Sequence, residues 1–290
     1  WELQSIVCVN DDLEPVVVDL ANNRATVTLR YNEADPLASQ SDVVCVFNNA
    51  PQPATITVIK NTVGGDDAFD FTWASTNNPN TNNVNDFQLT TANGSDSTVI
   101  QITNGLGDTD FSVSESLGAG WEFVSAQCLD GITPVGNLIQ AGPAVSITGI
   151  TLNPGDDITC TFNNQAQGTV TINKTTVGGD GTFAYTSTDL GGSLGTAFNI
   201  VATGGTGSTG AINNLSPGTY TVTETDPQVD PGGWDFTNLV CNDPGDGGSS
   251  VDLPSRTATI DLDPGETISC TFTNTKRGQV IIEKQTLPDG

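Results

Sequence analysis

Residues 159–179 read TCTFNNQAQGTVTINKTTVGG. Two runs in this stretch alternate in steps of two. Cys160, Phe162 and Asn164 form the first, and Val170, Ile172 and Lys174 the second. Alternation at period two puts each set on one face of a β-strand. The apolar members mark that face as a core face. Each set nevertheless ends on a polar residue, an amide in the first strand and an ammonium in the second. The sequence thus points a lysine and an asparagine into its own interior.

The same pattern recurs along the chain. Trp1, Trp121 and Trp234 each stand seven residues before a cysteine, namely Cys8, Cys128 and Cys241. A second cysteine follows each in a C-x-F setting: Cys45 with Phe47, Cys160 with Phe162, Cys270 with Phe272. A new start comes shortly after, as ATITVIKNTVGGD (54–66), GTVTINKTTVGGD (168–180) and GQVIIEKQTLPDG (278–290). A period of about 110–120 residues is ordinary for one domain. The phase predicts the C-terminal half of a repeat over 1–50, complete repeats over 51–165 and 166–276, and the first strand of a following repeat over 277–290. A window of a longer array fits this best. The rival is that the end strand completes the open half-domain of a neighbouring molecule.

Helical periodicity is weak, and period-two alternation is widespread: Val27/Leu29/Tyr31, Phe87/Leu89, Phe198/Ile200, Ile260/Leu262. Tight-turn signals punctuate it, as in LNPGDD (152–157), LSPGT (215–219) and LDPGE (262–266). The fold class is all-β, a tandem array of β-sandwich repeats. Linkers are short and the one at 49–56 carries Pro51 and Pro53, which favours a semi-rigid rod.

Composition excludes several functions. The 34 acidic against 8 basic residues give a formal charge of -26. Such a surface repels nucleic acid and anionic membranes. The chain has no histidine, which removes most nucleophile–base triads and most zinc sites. No apolar run is long enough to span a bilayer.

The polar residues on core faces form a recurring set. The first strand of each repeat ends apolar-x-apolar-x-Lys: Ile56/Val58/Lys60, Val170/Ile172/Lys174, Val280/Ile282/Lys284. The chain has four lysines, and three occupy this position. The last strand runs Cys-x-Phe-x-Asn, ending on Asn49, Asn164 and Asn274. A third strand runs aromatic-x-Val-x-Glu, as Phe111/Val113/Glu115 and Tyr220/Val222/Glu224. Burying an isolated charge costs several kcal/mol or more, so such groups pair or neutralise. Two solutions fit. One is a Lys–Glu salt bridge with the Asn hydrogen-bonded alongside. The other is chemical: desolvation favours the neutral amine, the Asn amide carbon is its electrophile, and the Glu shuttles protons. The product is a Lys–Asn isopeptide bond and free ammonia.

The ordered motifs ITVIK, FSVSES and CTFNN, then VTINK, GTYTVTETDP, GGW and LDPGETISCTFTNTKRG, resemble the Cna B-type, SpaA-like prealbumin-like repeats of bacterial surface proteins and pilins. The likeness is to the subfamily with two cysteines per repeat and covers essentially the whole chain. It implies prealbumin-like (Ig-like) sandwiches with a seven-strand-like fold. It also implies a first-strand Lys joined to a last-strand Asn, promoted by an acid on an intervening strand. Residue by residue, that means Lys60–Asn164 with Glu115 and Lys174–Asn274 with Glu224. Asn49 and Lys284 are left without partners at the ends of the window.

The six cysteines fall as one pair per repeat, 8/45, 128/160 and 241/270, which argues for disulfides and an oxidising extracellular setting. VGGDDAFD (63–70) and NDPGDGG (242–248) place Asp among Gly as calcium loops do, but match no EF-hand spacing. No cofactor is expected, with calcium left open. Asn93, Asn173 and Asn214 fit N-glycosylation sequons. Trp121 and Trp234 recur in phase and are expected in the core, whereas Trp73 does not recur and is expected to be exposed.

These observations describe a structural protein that is not an enzyme: an extracellular or cell-surface fibre, stalk or adhesin shaft. Its partners would be further copies of the repeat, along the chain or in a filament, with no nucleic acid and no membrane insertion. The alternative is an adhesin module that binds a glycan or a cell-surface ligand through loops such as WASTNNPNTNNVND (73–86). A secreted enzyme lacks a believable site.

Overall fold

In a computed structural model, the structure describes residues 2–9, 17–19, 24–26, 44–75, 85–102, 107, 110–188, 190, 195–245 and 247–285. Trp1, the Val27/Leu29/Tyr31 run, most of the 73–86 loop and residues 286–290 lie outside them. Two sandwiches dominate. In the first, one sheet runs Thr133–Val135, Trp121–Asp130, Asp157–Ala166, Ala54–Val63, Ser95–Ile102. The facing sheet runs Asn137–Ala141, Ala144–Ile150, Phe111–Ser116, Ala68–Ala74, Asn85–Thr90. The second sandwich repeats this plan. Its sheets run Thr206–Leu215, Gly168–Val177, Thr267–Lys276, Trp234–Asn242, and Ala197–Ala202, Gly181–Ser187, Gly218–Glu224, Thr257–Leu262, Ser250–Asp252. The sandwiches therefore carry more strands than seven. The additions are short edge strands such as Thr133–Val135 and Ser250–Asp252, which contribute no fully buried residue.

The first strand shows why the pattern folds this way. Along Ala54–Val63 burial alternates strictly from Ala54 to Thr62, with Ile56, Val58 and Lys60 all inward. Gly168–Val177 does the same with Val170, Ile172 and Lys174. The β-branched inward residues pack on a pleated surface, and the outward Thr and Asn solvate it. Inward residues from both sheets close one apolar core per sandwich. Full burial of each large apolar side chain contributes about 1.5–3 kcal/mol.

First and last strands lie side by side and parallel in both sandwiches. Cys160 stands opposite Val58 and Phe162 opposite Lys60. Cys270 stands opposite Ile172 and Phe272 opposite Lys174. The Trp-bearing strand pairs antiparallel on the other side of the last strand, with Cys128 opposite Cys160 and Cys241 opposite Cys270. A bulge follows Phe123 in one and Phe236 in the other. The pair Glu2–Val9 and Val44–Ala50 has the same plan, with a bulge after Leu3 and Cys8 opposite Cys45.

The turns obey local chemistry. Pro154-Gly155 and Pro264-Gly265 put glycine at φ +85 and +75, which L-residues resist. Asn153 N donates to Asp156 Oδ2 at 2.7 Å and closes the first of them. One residue, Gln167, separates the last strand of the first sandwich from the first strand of the second. Its N–H donates to Gly120 O at 2.7 Å, and Gly265 N donates to Ala166 O at 3.1 Å. The junction is thus hydrogen-bonded to both sandwiches.

Candidate functional site

Three polar side chains, brought from three strands, meet inside each core. Lys60, Glu115 and Asn164 are buried in the first sandwich, and Lys174, Glu224 and Asn274 in the second. Lys and Asn come from the parallel pair in one sheet, while Glu reaches across from the facing sheet. Period two places all three inward, as the sequence indicates.

In the first sandwich Lys60 Nζ lies 2.8 Å from Glu115 Oε1 as an ion pair. Asn164 Nδ2 donates to the same oxygen at 2.6 Å. The two nitrogens are therefore at most 5.4 Å apart, the sum of those contacts. In the second, Lys174 Nζ donates to both Glu224 oxygens, each at 2.8 Å. Asn274 Nδ2 donates to Glu224 Oε1. One carboxylate thus holds an amine and an amide against each other in both cores. The amide oxygens Asn164 Oδ1 and Asn274 Oδ1 are buried without a hydrogen-bond partner. Such an orphan costs about 1–3 kcal/mol.

Desolvation works on the lysines. Burial pulls Lys60 below the ordinary lysine range, and the Glu115 contact only partly restores it. Burial brings Lys174 down to about 8 against the opposing pull of Glu224. The neutral amine is therefore far more accessible than in water. Lys60 Nζ sits 4.4 Å from the Phe69 ring centre and Lys174 Nζ 4.3 Å from that of Phe183.

Sequence reasoning missed this aromatic lining. Its signal is the F-x-F and F-x-Y spacing in AFDFTWA and GTFAYTS, which puts Phe69, Phe71, Phe183 and Tyr185 inward. Tyr185 Oη donates to Glu224 Oε2 at 3.4 Å. The same spacing corrects the expectation for Trp73. It continues the inward row of Phe69 and Phe71, is half-buried and stacks on Phe111 at 5.5 Å. Trp234 is buried as expected. Trp121 is half-buried and gives its indole N–H to Asp67 Oδ2 at 3.0 Å.

Disulfides join Cys128 to Cys160 and Cys241 to Cys270. Among the described residues no cysteine is a free thiol. Cys8 and Cys45 are Cα partners, and the Cys8 side chain lies outside the described residues. Asn49 and Lys284 are exposed and are not brought together. Residues 277–285 form no strand. The Asp-Gly loops bind backbone: Asp66 accepts from Asn93 N and Gly94 N, and Asp243 from Ser249 N. Among the described residues no three acidic or cysteine side chains cluster to hold a metal ion. No described helix is long and apolar enough to cross a membrane.

The profile of the SpaA-type prealbumin-like fold domain matches residues 56–166 and 170–276. The chain belongs to that family. A search of curated proteins found no match. Among solved structures, the major pilin from Streptococcus pyogenes shares 14% identity, covering 80% of this chain and 100% of that one, with a TM-score of 0.32. A bacterial adhesin from Mobiluncus mulieris containing intramolecular disulfide, isopeptide and ester bond cross-links shares 12% identity over 78% of this chain and 100% of its own, with a TM-score of 0.32. A C-terminal fragment of the pilus adhesin SpaC from Lactobacillus rhamnosus GG shares 14% over 80% and 100%, with a TM-score of 0.24.

Proposed function

We propose that the chain is a load-bearing segment of an extracellular repeat fibre, stalk or adhesin shaft, with structural units over 51–165 and 166–276. Lys60–Asn164 and Lys174–Asn274 isopeptide bonds stiffen it together with the disulfides. One observation carries this reading: in each core an amine and an amide from neighbouring parallel strands meet at one buried carboxylate. The lysine ammonium passes a proton to Glu115 or Glu224. The free amine attacks the Asn Cγ, and the protonated acid hydrogen-bonds the amide oxygen, which otherwise has no partner. The Cγ–Nδ2 bond breaks and the nitrogen leaves as ammonia, taking a proton from the attacking amine, while the glutamic acid keeps the proton it received. A lysine ammonium, a carboxylate and a primary amide become a secondary amide, a carboxylic acid and ammonia, so charge and atoms balance. The buried charge pair disappears, which removes its desolvation penalty. Each site acts once on itself, so turnover has no place here.

The mechanical consequence follows from topology. Tension enters a unit at its first strand and leaves at its last. These strands are parallel neighbours, so pulling shears them. A Lys–Asn bond carries load from one strand to the other and bypasses everything between. Peptide mapping tests the reading: a digest should contain Lys60 joined to Asn164 and Lys174 joined to Asn274. Linear peptides at both places would refute it.

A further inference from the structure

Around the two glutamates the rings of the cores match, with one hydroxyl's difference. Phe69 meets Trp121 edge-on at 5.0 Å, as Phe183 meets Trp234 at 5.3 Å. Phe71 stacks on Phe87 and meets Phe162 edge-on, both at 5.3 Å. Tyr185 stacks on Phe198 and meets Phe272 edge-on, both at 5.2 Å. Phe71 is the direct cross-strand partner of Glu115, and Tyr185 of Glu224. Phe71 and Tyr185 thus occupy one position, and the second core gains a hydroxyl there. That hydroxyl reaches Glu224 Oε2 at 3.4 Å, whereas Glu115 Oε2 is buried with no hydrogen-bond partner. Glu224 also takes Lys174 on both oxygens, while Glu115 meets Lys60 through Oε1.

We propose that Tyr185 is a positioning residue that slows cross-linking in the second unit relative to the first by anchoring the Glu224 carboxylate. The inference rests on the cross-linking reading above. Bond formation requires the lysine proton to move onto the glutamate. A hydrogen bond donated to a carboxylate stabilises the charged form and weakens once that form is protonated. Burial and the neighbouring Glu224 push the Tyr185 hydroxyl upward, so it stays protonated and acts as a donor. The groups facing the carboxyl are Lys174, Asn274 and Tyr185, while Arg256 reaches only the Glu224 backbone carbonyl. Glu115 lacks the third donor. The contact is long, so the effect is modest, about fivefold in rate. The second unit then stays a reversible, salt-bridged sandwich for longer.

The test follows both bonds in one molecule. The full chain is pulse-labelled in cell-free synthesis, cold enough that the second unit is incomplete at the first time point. Samples are acid-quenched, digested and quantified for each cross-linked peptide at several pH values. Tyr185→Phe should raise the second unit's rate about fivefold and leave the first unchanged. It should also bring the second unit's pH profile onto the first unit's. Phe71→Tyr should slow the first unit and shift its profile the opposite way. Tyr185→Phe restores the aromatic that the first core already accommodates, so folding is preserved. Unmoved rates and profiles in Tyr185→Phe, or a slower second unit, would overturn the proposal while leaving the cross-links standing. A wild-type chain with no cross-linked peptide in either unit would remove both readings.

Discussion

Asn274→Ala is the most informative perturbation of the load path. It deletes the electrophile but leaves the Lys174–Glu224 pair with both its 2.8 Å contacts. The buried charge keeps its counter-ion, so the sandwich still folds. On the proposed reading, a Lys174–Asn274 bond in the wild-type protein keeps the intervening chain out of the load path. That loop spans about 100 residues, of which the Cys241–Cys270 disulfide closes off a separation of 29. The remainder is about 70 residues, and at about 3.4 Å each it amounts to about 240 Å of extension. Single-molecule stretching from both ends should show this step in Asn274→Ala and not in the wild type. Reduction of the unfolded variant should add about 100 Å more at the same length per residue. Equal extension by the wild type and the variant would refute the shunted load path.

Other outcomes follow from the same geometry. Asn274→Ala should gain stability as pH rises from about 8 toward 10.5, because folding holds Lys174 below its unfolded value and the unfolded chain binds the extra proton. The slope should reach at most about 1.4 kcal/mol per pH unit, read by chemical denaturation. A wild type cross-linked as proposed, whose amide nitrogen does not titrate, should lack it, and Tyr185 is common to both. Glu115→Ala should leave Lys60 buried without a counter-ion and destabilise the first unit by about 3–5 kcal/mol, while peptide maps keep the second bond and lose the first. In a chain lacking both Lys–Asn bonds, Cys128→Ser with Cys160→Ser should remove about 3–4 kcal/mol by opening a loop of separation 32, seen as a lower denaturation midpoint.

Much of this architecture is legible in the sequence because the repeats supply internal controls. One Lys on an apolar row is ambiguous, but three of four lysines at one phase are not. The inward places of Lys60, Glu115 and Asn164 follow from period two alone. The two described disulfides follow from Trp–Cys phase. Other features depend on contacts that no local pattern encodes. The cross-sheet reach of Glu to a shared oxygen needs the two layers packed. For Trp73 alternation decides and recurrence does not: it lies two residues past Phe71 and so faces the same way. The edge strands beyond the expected seven, such as Thr133–Val135, are too short and too exposed for a hydrophobic period to announce them. What the Tyr185 hydroxyl adds is visible only against Phe71, its counterpart in the other core.

Intact mass of the whole chain, denatured and fully reduced, tests the central claim most directly. Two cross-linked units give a deficit of two ammonia molecules against the mass of the sequence, one for each complete unit, falling to one in Asn274→Ala. A wild-type mass equal to that of the unmodified sequence would contradict it.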